Sequence, residues 1–424
     1  MERLPGFRDF YPEPLPHADT WSADARQFIF DKWRETAKRY NFREYDGPPL
    51  EPLELFTTKS GDEIIGQLYN FVDKGDRAVS LRPEMTPTLA RMVAAHERNY
   101  KKPIKWFAIP QLFRYERQQK GRLREHFQFN ADIFGESDVA ADAELIALLI
   151  DTLRSFGLTS QDFVIRLSSR NAWQSFHDDT LQKSAHTGAN DYEFFQVIDK
   201  LERTEPGEAE KKLTTLGFAL ADVNEFIRAG KPTPELEAIL TNLAARGLAE
   251  FVKVDYHVIR GLAYYTGAVF EGFDAEHRFR AIFGGGRYDN LFGDMTGAAR
   301  PAVGMGFGDV VIGEMLADLK GLKPGKPKVE ACVGMFDAAL SRDAARIAAE
   351  LVAAGIQTDL AFAAGKPGKF FSYADRRGAR FSVFLAPNEL REGAAAIKEM
   401  ATGEQTTVPL AQLAEWLRAR LSQS

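Results

Sequence analysis

The stretch that most constrains this chain is Leu112 to Gly135, LFRYERQQKGRLREHFQFNADIFG. It reads as two strands around a polar tip. Ile109 to Tyr115 carries a β-rich approach, Gly121 lies in the tip, and His126 to Phe134 alternates on the return. Successive side chains of a strand point to opposite faces. Phe127, Phe129, Ala131 and Ile133 therefore share one face, and His126, Gln128, Asn130 and Asp132 the other. Arg114 and Glu116 keep the same period before the turn, and Arg117, Lys120, Arg122 and Arg124 surround the tip. One reading is a half-exposed hairpin with solvated charges, the default outer face of an antiparallel pair. The other is an open polar face for a nucleoside triphosphate, because a guanidinium grips phosphate oxygens in a bidentate fork.

The rest of the composition sets limits. A chain of 424 residues is long enough for two or three domains, and 45% hydrophobic with 27% charged residues fits a globular protein. Cys332 is the sole cysteine, which excludes an internal disulfide and a cysteine-based zinc site and favours a reducing compartment. The N-terminus MERLPGFRDFYPEPLP lacks the apolar core of a signal peptide. No apolar run approaches the roughly 18 to 20 residues of a membrane helix. The expectation is a cytoplasmic protein with no membrane partner. A net charge of −6 gives no bulk attraction to nucleic acid, so any such affinity is local. Residues 326–424 carry 13 basic against 11 acidic residues, a slight positive excess.

Taken in order, Trp21, Ala25, Phe28, Ile29, Trp33, Ala37 and Tyr40 recur at helical spacing, which predicts a helix over 19–40 with Asn41 as a left-handed cap. A strand and Gly47-Pro48-Pro49 follow. Tyr69 to Leu81 reads as a hairpin turning at Asp73–Asp76. Arg82-Pro83-Glu84-Met85-Thr86-Pro87 opens a helix predicted over 88–100. Glu84 and Thr86 either cap that helix or supply a carboxylate and hydroxyl to a ligand ammonium. A helix over 138–156 and a strand over 163–167 come next. Helical patterning from Asn171 to about Glu250 marks an inserted subdomain. In VIRGLAYYTGAVF, from Val258 to Phe270, Tyr264 and Tyr265 are ordinary strand material. Gly284-Gly285-Gly286 reads as a bulge, a turn or a close backbone approach to a ligand. Gly321 to Lys328 is a linker by composition, and αβ alternation fills the remainder, with Lys366, Lys369, Arg376 and Arg377 as solvated charges or phosphate contacts.

FRYE, a basic loop and an aromatic-Gln-Asp return resemble motif 2 of the class II aminoacyl-tRNA synthetases, and Gln128 with Asp132 resembles the histidine-specific family. The long first helix ending before Pro48 is similar to motif 1, the dimer interface of that class. The RPE-x-T turn and the RGLAYYTG string resemble signatures of the same family, although Ala263 stands where relatives usually have Asp. PAVGMGFGDVV, from Pro301 to Val311, is similar to motif 3, but Val311 falls where the family has an arginine on the ATP γ-phosphate. Arg287, Arg300 and Arg122 are the candidate replacements.

The resemblance implies an α+β fold: an antiparallel sheet flanked by helices over 1–170 and 251–322, a helical insertion over 171–250, and a C-terminal α/β anticodon-binding domain over 328–424. It implies ATP-dependent ligation of L-histidine to tRNA(His) through a histidyl-adenylate, with Mg2+ as an expected cofactor and a homodimer. Arg114 and Arg260 flank the α-phosphate as the catalytic pair. Glu84, Thr86 and Gln128 take the histidine ammonium, Asp132 and Tyr265 read the imidazole beside Tyr264, and Glu116, Arg122 and His126 join Arg114 in facing ATP. His126 stands where many relatives stack the adenine on Phe. The resemblance assigns no metal ligands. Two rivals are a non-catalytic paralogue, such as the regulatory subunit of ATP phosphoribosyltransferase, which lacks the C-terminal domain, and an RNA-binding module with a decayed core.

Overall fold

The alternation after the turn produces the central strand of the molecule. In the computed structural model, which describes residues 2–12, 21–57, 66–116, 121–183, 191–260, 264–293, 299–320 and 329–422, that strand is Glu125–Phe134. Arg117 and Lys120 of the tip, Gly261 and Ala263, Gly188 to Asn190 and the linker 321–328 lie outside the described residues. The apolar phase does what its period requires: Phe129, Ala131 and Ile133 are buried in the main core. Helix Ala23–Arg39 covers that face, and its fully buried Trp33 stacks on Phe129 with ring centroids 5.7 Å apart. The helix ends as expected. Asn41 has a φ of 60°, and the Phe42 N–H returns to the Ala37 carbonyl at 3.0 Å.

Nine strands form the main sheet among the described residues. In spatial order they run Val252–Val254, Phe163–Ser169, Ala268–Asp274, Phe283–Arg287, Ala302–Gly308, Glu125–Phe134, Ile104–Ala108 and Arg43–Glu44. The six inner strands are antiparallel, and the two edge strands join in parallel. The ninth, Gln111–Phe113, pairs only with the start of Glu125–Phe134. It is shorter than the strand expected from Ile109 to Tyr115. Pro110, which has no N–H to give a ladder, separates it from Ile104–Ala108.

The polar phase of Glu125–Phe134 faces a floor of glycines. Across the ladder Asn130 meets Gly306 and then Gly284, while Asp132 meets Gly304 and then Gly286. A Cβ at Gly284 would collide with the Arg260 guanidinium, one at Gly304 with the Asp132 carboxylate, and one at Gly306 with the Gln128 amide. The glycine run is thus an interior strand, not a bulge or turn. Its missing side chains make the space into which three functional side chains reach. The expected open face is also only partly open, since Asn130 and Asp132 are buried.

Arg8 locks the hairpin to the motif 3 helix Asp309–Lys320. Its Nε donates to Glu125 at 2.7 Å and its NH1 to Asp309 at 2.9 Å, with all three side chains at most 4% exposed. Asp309 also accepts the Phe127 N–H at 3.0 Å, and the Gln111 amide donates to Glu125 at 2.8 Å. A buried ion cluster of this kind adds little net stability, but removing one member leaves a charge uncompensated.

Other elements differ modestly from expectation. The helix expected over 88–100 is Thr86–His96 followed by a short turn at Glu97–Asn99. Pro87 is tolerated in its first turn, where no N–H is needed. The helix over 138–156 is Ala140–Ser155. Tyr69–Val72 and Ala78–Leu81 form the expected hairpin, with Leu50–Pro52 as a third strand. Among the described residues between Arg170 and Ala245 there are five α-helices, with Trp173, Phe194 and Phe226 in ring contact among them.

The chain divides into two compact units, Met1–Asp9 with Ala25–Lys323, and Phe10–Asp24 with Pro324–Ser424. The second contains a five-stranded sheet in the order Thr358–Leu360, Ala331–Met335, Phe381–Leu385, Ala394–Glu399 and Gln405–Pro409. Its first three strands are parallel and the last two antiparallel. Helices Ser341–Ala353, Pro367–Arg376 and Leu413–Leu421 complete the αβ alternation. The Cys332 thiol is buried there, and that burial pushes its pKa up to about 12.

Candidate active site

The turn before helix Thr86–His96 is pinned by Arg82. Its buried guanidinium donates to the Gly47 carbonyl at 2.6 Å and the Gln111 carbonyl at 3.1 Å. Arg114 comes from the hairpin to the same turn and donates from Nε to the Pro83 carbonyl at 3.0 Å. Glu84 is buried, and Tyr264 donates its hydroxyl to Oε2 at 3.1 Å. The helix cap position is Met85, whose side chain makes no cap bond, so Thr86 is the first helical residue rather than the cap.

Arg260 carries the most unusual backbone in the site. Its φ is +55°, a region that residues with a Cβ rarely occupy. The side chain lies over Gly284, donates from NH1 to Glu271 at 2.9 Å and sits 5.8 Å from the Tyr265 ring centroid. Burial opposes its charge, but Tyr265, Glu271 and Tyr264 outweigh that and hold the guanidinium protonated. Its Nε is buried with no hydrogen-bond partner among the described residues. Burial also raises the Glu271 carboxyl pKa, against the pull of Arg260.

Asp132 lies at the inner end of the glycine floor and accepts a hydrogen bond from the Tyr288 hydroxyl. Burial pushes its pKa up to about 7, against that bond. Tyr265 feels the charges of Arg260, Glu84, Glu271 and Asp132 together, after the larger effect of its own burial raises its pKa. Arg260, Glu84, Tyr265 and Asp132 therefore line one small neighbourhood. Tyr264 and Tyr265 sit in the loop before strand Ala268–Asp274, not in a strand.

On the outer side, Glu116 is buried in an ion pair with Arg122, and neither of its oxygens makes a hydrogen bond among the described residues. His126 is half-buried. Burial, reinforced by the charges of Arg114, Arg8 and Arg122, pushes its imidazole down to about 3, so it is neutral. Arg114, Arg122 and His126 thus share one electrostatic neighbourhood. Two of the candidate replacements for the missing motif 3 arginine are committed elsewhere. Arg287 is buried against Asp142 and donates to the Glu136 and Asp138 carbonyls. Burial still pushes the Asp142 carboxyl up to about 6. Arg300 pairs with Glu97 at 3.2 Å. Val311 is buried at the start of its helix.

Sequence reasoning missed Glu271, Tyr288, Tyr45 and Arg280. Glu271 had a signal in the alternation of AVFEGFD, where its phase matches the polar face. Tyr45 lies near enough to Asp132 for that carboxylate to raise its pKa further, after burial, and it had no signal at all.

The groups gathered here are binders: guanidiniums, carboxylates and phenols above a glycine floor on an antiparallel sheet. That combination of fold and site is the one found in a class II aminoacyl-tRNA synthetase. A family model described as histidyl-tRNA synthetase matches residues 19–308, and one described as an anticodon binding domain matches 327–420. The chain is 42% identical over 438 residues to the histidine–tRNA ligase of Opitutus terrae, covering 99% of this chain and 98% of that protein. It is 38% identical to the chloroplastic/mitochondrial histidine–tRNA ligase of Arabidopsis thaliana, over 96% and 85% of the two chains. In fold it resembles the crystal structure of histidyl-tRNA synthetase from Nostoc sp. PCC 7120, with a TM-score of 0.76, 24% identity and 99% coverage of both chains. The chain belongs to the histidyl-tRNA synthetase family.

Proposed function

We propose that this protein ligates L-histidine to tRNA(His), using ATP and passing through histidyl-adenylate. The observation that carries the reading is the shared neighbourhood of Arg260, Glu84, Tyr265 and Asp132 over the glycine floor. A carboxylate and a phenol can address the two imidazole nitrogens, fixing tautomer and orientation. Glu84, Thr86 and Gln128 take the ammonium, with Tyr264 orienting Glu84. Arg114 holds the substrate carboxylate and the α-phosphate, and Arg260 neutralises the same phosphate. The histidine carboxylate attacks the α-phosphorus, the bond to the bridging oxygen breaks, and its electron pair leaves with pyrophosphate. A ribose hydroxyl of the tRNA end then attacks the acyl carbon and releases AMP. No side-chain nucleophile is needed, so catalysis is positioning and charge stabilisation, with each guanidinium contributing about 3 to 4 kcal/mol.

Glu116, Arg122 and His126 face ATP in this reading. Mg2+ fits as a counter-ion of the triphosphate, since magnesium keeps waters and takes phosphate oxygens with one or two carboxylates. Glu116, a buried carboxylate held beside Arg122 at the ATP-facing side, is the one suited to it. Segment 171–250 acts as an insertion in a catalytic core of 1–170 and 251–322, and 328–424 as the anticodon-binding domain. A cytoplasmic site of action belongs to the same reading. No helix among the described residues is long and apolar enough to cross a membrane. A homodimer is supported by the exposed apolar Leu50, Phe71 and Val72 on one small sheet. Its mass in solution should be that of two chains, and a monomer at micromolar concentration removes this part.

Val311 favours the non-catalytic paralogue. The C-terminal unit and full-length identity to proteins named ligases favour catalysis. Histidine- and tRNA-dependent aminoacylation decides between them, because the paralogue would form no histidyl-tRNA. The C-terminal unit offers a separate prediction. Phe362 is 92% exposed beside a hollow of about 110 Å3 that Lys369 and Arg376 also line. Stacking of an unpaired base on such a ring contributes about 1 to 3 kcal/mol. Phe362→Ala should raise KM for tRNA about tenfold and leave ATP–pyrophosphate exchange unchanged. An unchanged KM for tRNA removes Phe362 from the RNA surface.

A further inference from the structure

The connection between strands Ala268–Asp274 and Phe283–Arg287 is held in a defined shape. The buried Asp274 carboxylate accepts the Arg278 N–H at 2.8 Å and the Phe279 N–H at 3.0 Å, and Ile282 donates to the Gly272 carbonyl at 2.8 Å. Phe279 packs against the main core. Arg280 is therefore presented by an anchored loop. Its Cδ lies 3.6 Å from the point where a side chain at Gly121 would begin. The Val311 Cγ2 lies 3.6 Å from that same point, and the Glu314 Oε2 3.9 Å. Gly121, with a φ of +73° and no side chain, leaves the gap between the hairpin tip, the Arg280 loop and the Val311 helix.

Cations outnumber anions around this gap, with Arg280, Arg122 and Arg203 against Glu314 and Glu116. Partial desolvation of the Arg280 guanidinium lowers its pKa, and Arg122 and Arg203 lower it further, while Glu116 opposes them. Arg122 in turn acts on His126, as Arg114 does. A train of guanidiniums thus runs from the Pro83 carbonyl past His126 to the hairpin tip. Like charges at this spacing repel, and a polyanion relieves that repulsion. Val311 contributes no charge at the point where the gap meets its helix.

We infer that Arg280, together with Arg122, binds the β- and γ-phosphate end of ATP and does so from the opposite strand connection to position 311. The inference rests on the reading of the site as an ATP-dependent ligase. Both residues hold the leaving pyrophosphate, so they act on ATP and pyrophosphate and not on histidine.

The test is histidine-dependent ATP–pyrophosphate exchange with Arg280→Ala and Arg280→Met. Arg280 is exposed, and Met keeps most of the aliphatic stem, so a loss shared by both variants reports the charge. KM for ATP and for pyrophosphate should rise about ten- to hundredfold, the range of a hydrogen bond to a charged group. KM for histidine and affinity for AMP should stay within twofold. Arg280→Ala/Val311→Arg should recover part of the affinity for ATP, because both side chains border the same gap. A KM for ATP within twofold of the unmodified protein overturns the inference. So does a rise in KM for histidine equal to that for ATP, or no recovery in the double variant. If the unmodified protein shows no histidine-dependent exchange, the ligase reading fails instead.

Discussion

Arg260→Ala is expected to lower histidine-dependent ATP–pyrophosphate exchange by at least 10²- to 10³-fold, the loss typical of one preorganised oxyanion donor. The fold should survive. Arg260 and Glu271 are each about one-fifth exposed, so the pair is not sealed away from water, and Glu271 can take a proton once its partner is gone. Its pKa is already raised by burial. The backbone strain at φ +55° is common to Arg and Ala, so the substitution does not change it. Arg260→Lys should recover little, because a point charge cannot reproduce a planar fork that holds Glu271 and still offers Nε to a ligand. Adding Glu271→Gln to Arg260→Ala should restore any lost thermal stability without restoring exchange. Near-normal exchange in Arg260→Ala would remove this residue from the mechanism.

The contrast between Arg260 and Arg287 marks where sequence reasoning stops. Both were eligible phosphate ligands as bare arginines. Arg287 is instead consumed by Asp142, 145 positions away, and no local pattern announces that pairing. The Arg8 cluster joins residues 117 and 301 positions apart and is equally silent in the text of the chain. Local rules did well where a local rule decides. Period-two alternation named the buried face of Glu125–Phe134, and a left-handed asparagine ended the first helix. The glycine run was ambiguous for a physical reason: a missing side chain means nothing until the residues that fill the space are known. Here those are Asp132 and Gln128, from the neighbouring strand, and Arg260, from a turn more than a hundred positions away. The departure at Val311 was legible at once. Its neighbour across the gap was not, because Arg280 reaches that place only through the pairing of two strands.

Asp132→Asn should separate stability from activity. In the folded protein burial pushes the Asp132 carboxyl up to about 7, from an ordinary value of 3.8. Between those two values the folded state holds a proton that the unfolded chain has released. Stability from this group therefore falls as pH rises from about 4 to about 7, and the whole cost is present above 7. Every tenfold difference in proton affinity between the two states is worth about 1.4 kcal/mol, so the cost at pH 8 is of the order of a few kcal/mol. Asparagine does not titrate, has the same shape, and can still accept from Tyr288. Asp132→Asn should melt a few degrees higher than the unmodified protein at pH 8, and the gap should close near pH 4. Histidine activation should fall by roughly 10²-fold or more, because an amide facing the ring loses the charged acceptor of an imidazole N–H. Addition of histidine should then raise the melting temperature of the unmodified protein but not of the variant. A destabilised variant at pH 8, or one that activates histidine within tenfold of normal, would mean that Asp132 is kept for packing and that the ring is read elsewhere.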